Sequence, residues 1–118
     1  MEISCTIKEN VTYVSLVGQF WDPEDIRAFE KIIGACVQER RNRVVLDVDR
    51  LSFINSLGLG QLVKAHKTLT DAGGGVVIFR PRSMVLDVIE VSGFQMFMSV
   101  VQGEEELNNS LLSLGGSS

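Results

Sequence analysis

The hydrophobic pattern is clearest between Arg43 and His66, where the chain reads RVVLDVDRLSFINSLGLGQLVKAH. It opens with a near-continuous apolar run between charges, which is typical of a short strand buried on both faces. The pattern changes at Asn55-Ser56, and the side chains beyond it recur at the three- and four-residue spacing of one helix face: Leu59, Leu62, Val63, His66 and Leu69. Asn and Ser are both good N-cap residues, so this stretch predicts strand, loop and helix, with the Ser56 hydroxyl at the helix N-terminus.

The rest of the pattern predicts one α/β domain over residues 1–114, followed by a flexible tail at residues 115–118. Alternating positions at residues 2–8 and 11–18 predict two strands joined as a hairpin. Asp22-Pro23 has the form of a helix N-cap followed by proline at the first helical position. The elements predicted after the helix that begins at Asn55-Ser56 are a strand at 76–79, a helix around 85–89, a short strand at 100–101 and a helix at 104–114.

Composition narrows the class of protein. The chain has 118 residues, 45% hydrophobic and 22% charged, with a net charge of −4. Nucleic-acid binding normally requires a basic stripe, so the acidic balance argues against it. The N-terminal segment MEISCTIKE lacks the form of a signal peptide, and no apolar run approaches the length of about 20 residues needed to cross a bilayer. We therefore expect a cytoplasmic protein that does not insert into a membrane.

Neither cysteine nor glycine spacing indicates a bound cofactor. Cys5 and Cys36 fall on different predicted elements without metal-type spacing, so we expect reduced thiols in or near the core. Three glycines at residues 73–75 lack the lysine and hydroxyl of a phosphate-binding loop. A helix C-cap followed by a turn explains them, and the sequence predicts no cofactor.

The candidates for enzymatic chemistry are few. His66 has no cysteine or second histidine spaced around it, so a metal site is not predicted. Ser56 and His66 are separated by ten residues of one helix, about 15 Å, which is too far for proton transfer. Asp47 and Asp49 lie at a strand end without a phosphate cradle, and we interpret them as structural. The sequence therefore predicts a protein that is not an enzyme.

The stretch VVLDVDRLSFINSLGLGQLVKAHKTL, followed by GGGVVIF and VIEVSGFQMF, resembles the STAS domain of bacterial anti-sigma-factor antagonists over almost the whole chain. The resemblance implies a STAS fold, with a mixed central sheet of four to five strands and about four helices packed mainly on one face. In that family the strand leads into a D-S-x-G-L-G turn, and the serine after the Asp is phosphorylated. Here Asn55 replaces the Asp, Ser56 is the acceptor, and Leu57 occupies the position after it.

The resemblance further implies a partner-switching regulator of transcription. The unmodified protein would bind an anti-sigma factor that is a serine kinase, and phosphorylation of Ser56 would release it. A metal-dependent serine phosphatase would reset the switch. The residues predicted to contact the partner are Trp21, Asn55, Ser56, Leu57 and Gly58.

Several alternatives remain open from the sequence. A STAS-like domain also serves as a constitutive scaffold in signalling complexes or in lipid-transport complexes. Trp21 is either a partner anchor or a hydrophobic staple against the first helix. Gly58 and Gly60 either keep the serine accessible or allow close helix packing. Arg80 and Arg82 are either solvated or reach a carboxylate or phosphate. The oligomeric state is monomer or weak dimer.

Overall fold

The computed structural model describes residues 1–114, and the tail predicted at 115–118 lies outside the described residues. In chain order the elements are β1 (Glu2–Lys8), β2 (Val11–Phe20), α1 (Pro23–Gln38), β3 (Arg43–Asp47), β4 (Leu51–Ile54), α2 (Ser56–Asp71), β5 (Gly75–Phe79), α3 (Ser83–Ser92), a 3₁₀ turn (Phe94–Met96), β6 (Ser99–Val101) and α4 (Glu104–Ser113). The predicted strands and helices are present in the predicted order, and the structure adds one strand, β4, between β3 and α2.

One mixed sheet organises the molecule, with strand order β1-β2-β3-β5-β6. β1 and β2 form an antiparallel hairpin, and β2, β3, β5 and β6 run parallel to one another. Because parallel neighbours need a crossover, helices connect them, as the predicted α/β class requires. The predicted mixed sheet is therefore confirmed.

The sheet has a sixth strand beyond the four to five predicted. β4 pairs in parallel with the end of β2, bringing Phe53 opposite Gln19 and Ile54 opposite Phe20 after a register shift near Gly18. β2 has ten residues and β3 only five, so β2 extends past β3 and offers a free edge there. The four residues of β4 occupy that edge, a pairing that their own pattern does not reveal.

The core has two layers, one on each face of the sheet. Three helices cover one face, with buried side chains Ile26, Phe29, Ile33 (α1), Leu62, Ala65, Leu69 (α2), Val85 and Ile89 (α3) against strand residues such as Leu16, Leu46 and Ile78. α4 covers part of the other face, where Leu107 and Leu111 pack with Val45 and Val77. The prediction that the helices lie mainly on one face is confirmed, with α4 as the exception.

β1 is much more exposed than its alternating sequence predicts. Ile3 is partly buried, Cys5 is exposed, and Ile7 is 54% exposed. An edge strand has a neighbour on one side only, so alternation there does not ensure burial. The prediction of a core or near-core thiol is confirmed for Cys36, which is 2% exposed, and is wrong for Cys5. Both cysteines are free.

Within residues 1–114, no helix combines the length and apolar character that a bilayer crossing demands. The longest helices, α1 and α2, have 16 residues each and carry charged side chains along one side.

Candidate functional site

The first turn of α2 presents an exposed hydroxyl at the positive end of the helix. Asn55 is the N-cap, and its side-chain oxygen accepts a hydrogen bond from the Gly58 N–H at 3.0 Å. Ser56 is the first helical residue and is exposed. Among the side-chain hydrogen bonds of residues 1–114, none uses the Ser56 hydroxyl. The cap function therefore belongs to Asn55, which leaves the Ser56 oxygen available to a reagent or partner.

Gly58 fixes this turn against the sheet. It is buried, and a Cβ placed on it would lie 2.3 Å from the Phe20 carbonyl oxygen and 2.9 Å from Ile54 Cγ1. Only glycine permits this approach of α2 to the ends of β2 and β4. The structure thus gives Gly58 a role in close packing beneath the turn, and its predicted place in a partner-binding surface stays a prediction. Gly60 is exposed, with open space around its Cα.

The pairing of β2 with β4 brings Trp21 beside this turn. Phe20 lies opposite Ile54, so Trp21 and Asn55 are the next residues along two parallel neighbours. The Trp21 Nε1–H donates to Gln19 Oε1 at 3.3 Å, and the side chain remains 45% exposed. Tertiary structure therefore juxtaposes residues that are more than thirty positions apart in the sequence.

Three large apolar side chains are exposed at the end of the sheet where α2 begins. Trp21 is 45%, Phe53 37% and Leu57 50% exposed. We call Trp21, Phe53, Ser56 and Leu57 the switch surface. Exposed apolar side chains grouped in one place mark interaction sites more often than scattered ones do. Phe53 was absent from the predicted contact residues. Its signal was the adjacent apolar pair Phe53-Ile54, because in a strand one member of such a pair must face away from the core.

The electrostatics of the turn favour an added anion. Ser56 and Leu57 have backbone N–H groups at the start of α2, where such groups lack partners within the helix and the helix dipole is positive. The first turn of α2 contains no acidic residue. A phosphate on Ser56 would therefore meet a favourable local field.

Two arginines on the loop after β5 are engaged within the chain. Arg80 Nη2 donates to Asp47 Oδ2 at 2.7 Å, and Arg82 pairs with Asp49. The hydrogen bond from Arg80 to Asp47 raises the pKa of Arg80, partly opposed by burial. These pairs tie the end of β3 to the loop that starts α3. The interpretation of both aspartates as structural residues agrees with this geometry.

His66 is also used structurally. Its Nδ1 accepts a hydrogen bond from the Val76 N–H at 3.0 Å. Val76 is in β5, one residue before the pairing of β5 with β6 begins at Val77. Burial lowers the pKa of His66, and a hydrogen bond with the Phe97 backbone partly opposes that shift. His66 Nδ1 already accepts a hydrogen bond, and His66 lies ten residues beyond Ser56 on the same helix. His66 therefore cannot act as a general base for the Ser56 hydroxyl.

The sequence profile of the STAS domain matches residues 2–107. The match covers most of the chain, so the chain belongs to the STAS-domain family, and the resemblance to this family is confirmed. BtrV of Bordetella bronchiseptica, whose name describes it as an anti-sigma factor antagonist, is 34% identical over 76 residues, which cover 64% of this chain and 66% of that protein. The matched stretch thus spans just under two thirds of that relative.

Solved structures share the fold. An anti-sigma factor antagonist from Mycobacterium paratuberculosis superposes with a TM-score of 0.79 at 20% identity, covering 93% of this chain and 92% of that one. The phosphorylated form of SpoIIAA, a Bacillus cell fate determinant, gives a TM-score of 0.71 at 18% identity, covering 92% and 98%. At these sequence identities the similarity shows a shared fold and nothing more specific.

Proposed function

We propose that this protein is an anti-sigma factor antagonist whose partner docks on the switch surface and whose release is controlled by phosphorylation of Ser56. The observation that carries the proposal is an exposed, unbonded hydroxyl on a helix tip, at the end of the sheet where the large apolar side chains of Trp21, Phe53 and Leu57 are also exposed. The partner is an anti-sigma factor with serine kinase activity, and a serine phosphatase restores the unmodified form. The protein acts in the cytoplasm by binding and has no catalytic role of its own.

A phosphate at Ser56 would change binding far more than folding. It adds a charge of about −1.5 to −2 at pH 7. In the free protein this charge lies in solvent at the positive end of α2, where it is tolerated. Under a docked partner the same charge would lie against Trp21 and Leu57 and would lose its hydration, which opposes binding. The predicted direction is therefore release on phosphorylation.

The neutral Asn55 is compatible with this switch. Its side-chain oxygen caps α2 through Gly58, as the oxygen of an aspartate at this position would. An aspartate would also place a negative charge next to the phosphate. Asn55 removes that repulsion, so the modified state of this chain should be less strained than one with aspartate at the cap.

Intact-mass analysis tests the modification. The protein is incubated with a serine kinase of the anti-sigma-factor type encoded beside it and with ATP and magnesium. Wild type should gain one phosphate, and Ser56→Ala none. Ser52→Ala is the matched control, since Ser52 is also exposed but its hydroxyl donates to the Gly18 carbonyl oxygen at 2.9 Å. A stable complex without any phosphate transfer would favour the constitutive scaffold role.

Alanine substitutions test the surface separately. Trp21→Ala and Leu57→Ala should each weaken the complex about tenfold or more, because apolar residues at the centre of an interface contribute at least about 1.4 kcal/mol. Leu112→Ala is the control, since Leu112 is 74% exposed on α4, across the sheet from α2. Equal affinities for all three variants would exclude the switch surface as the docking site.

A further inference from the structure

β1 is an open edge of the sheet and is longer than the strand at the opposite edge. It has seven residues and pairs with β2 alone, whereas β6, at the opposite edge, has three. Natural edges are usually protected by proline, bulges or charges placed within the strand. The segment from Ile3 to Ile7 contains none of these, and the only charges of β1 are at its ends, Glu2 and Lys8.

The hairpin turn determines which backbone groups are open. Lys8 and Val11 form the pair that closes the two-residue turn at Glu9-Asn10, where both residues have positive φ, 51° and 65°. In such hairpins the closing pair is hydrogen-bonded. Bonding alternates along the strand, so the even-numbered residues of β1 bond to β2. The N–H and C=O groups of Ile3, Cys5 and Ile7 therefore face the open edge.

The sequence of β1, EISCTIK, is self-complementary about Cys5. If a second copy adds its β1 antiparallel and centred on Cys5, Ile3 faces Ile7, Ser4 faces Thr6, and Cys5 faces Cys5. Glu2 of each copy then faces Lys8 of the other. In this register the residues whose N–H and C=O groups face the open edge lie opposite the same kind of residue in the other copy, as an antiparallel ladder requires. Shifting by two residues in either direction removes both Glu2–Lys8 pairs and shortens the ladder.

We propose that two copies of this chain associate through β1 as a two-fold symmetric, antiparallel dimer with one continuous sheet. Three observations support a second copy as the occupant of this edge. Glu2 and Lys8 have no ion-pair partner within residues 1–114. Ile7 is 54% exposed and would be covered by Ile3 of the other copy. An isologous contact also needs a surface complementary to itself, which few strand sequences provide.

The contact involves one strand from each copy, so the dimer is weak and depends on concentration. It is independent of the proposed role of Ser56, because β1 contributes no residue to the switch surface. Each copy would keep its own switch surface, and a dimer would present two of them.

Charge exchange tests the register. In sedimentation velocity over a concentration series, Glu2→Lys or Lys8→Glu should each weaken self-association about tenfold, because two opposed pairs change from attraction to repulsion. The double variant carrying both changes should regain the wild-type affinity. Mixing the two single variants should give a heterodimer tighter than either homodimer, since each lysine then faces a glutamate. A merely structural role of these side chains predicts neither recovery.

Thiol chemistry tests the centre of the contact. Directly opposed strand residues in a hydrogen-bonded pair have Cα atoms about 5.5 Å apart, within the range for a disulfide. In a Cys36→Ala background, oxidised glutathione should oxidise the two Cys5 thiols to one intermolecular disulfide and be reduced to two glutathione molecules. The reaction should be faster in the double charge variant than in either single variant. Cys5→Ser should give no covalent dimer.

A wild type that remains monomeric through the millimolar range would overturn the proposal. So would a dimer unaffected by Glu2→Lys and Lys8→Glu, because the contact would then lie elsewhere. If β1 instead binds a strand of another protein, single charge changes would alter that complex while the purified chain stays monomeric, which also contradicts self-association.

Discussion

Replacing Gly58 with alanine tests how α2 is held on the sheet. The added methyl would meet the Phe20 carbonyl oxygen at 2.3 Å, Ile54 Cγ1 at 2.9 Å and Phe20 Cδ2 at 3.0 Å. The nearest atom belongs to the backbone of β2, which cannot move without disturbing its pairing with β4. The α2 N-terminus must therefore lift away from the sheet, carrying Ser56 with it.

The magnitude follows from two opposed terms. Overpacking a tight site costs about 1–3 kcal/mol, and a contact with backbone belongs at the upper end. Exchanging glycine for alanine within a helix returns up to about 1 kcal/mol. Gly58→Ala should thus destabilise the protein by about 2 kcal/mol. For a chain of this size about 4 °C of melting temperature is lost per kcal/mol, so the expected decrease is about 8 °C.

Gly60→Ala is the matched control, because it lies two residues further along the same helix and its added methyl meets no atom within 4 Å. It should stabilise the protein by about 0.5–1 kcal/mol through helix propensity. Urea unfolding followed by circular dichroism measures both variants against wild type. If Gly58→Ala proves as stable as Gly60→Ala, the close approach of α2 to Phe20 is refuted.

Three further predictions concern the cap of α2, the burial of His66 and the close packing of Gly74. Asn55→Ala should cost about 1 kcal/mol in urea unfolding through loss of the cap on α2, and Asn55→Asp, which keeps the cap, should cost little or stabilise; equal losses in both would contradict capping by Asn55. Burial lowers the pKa of His66 in the folded state. Below the ordinary histidine pKa of about 6.5 the unfolded chain therefore binds more protons than the folded chain. The stability that His66 contributes should be full above about pH 6.5 and should decrease as the pH falls through that value. His66→Gln should remove that part of the pH dependence in urea midpoints, and an unchanged profile would show that other groups cause it. Gly74→Ala should destabilise by more than about 1 kcal/mol, because its Cβ would lie 1.9 Å from the Asn42 carbonyl oxygen, whereas Gly34→Ala, with open space, should not; similar thermal stabilities would contradict the contact.

Much of the site was predictable from local signals. The change of pattern at Asn55-Ser56 located the start of α2, because a cap residue and helical spacing are both written in adjacent residues. Which of the two residues caps the helix was not decided by sequence, since both side chains can accept the hydrogen bond. The role of Gly58 was equally undecided, because glycine permits both exposure and close packing, and only the position of Phe20 distinguishes them.

The sequence alone determined the α/β class, the hairpin, the starts of α1 and α2 and the serine at a helix tip, because these depend on periodicity and capping among neighbouring residues. The tertiary structure decided three other features. It paired β4 with the overhanging end of β2, which brought Trp21 next to Asn55 at the start of α2. It directed both arginines of the loop after β5 to the chain's own carboxylates. It also left β1 at the edge, exposing Cys5 and Ile7, because burial depends on which elements lie alongside a strand and its own alternation carries no record of them.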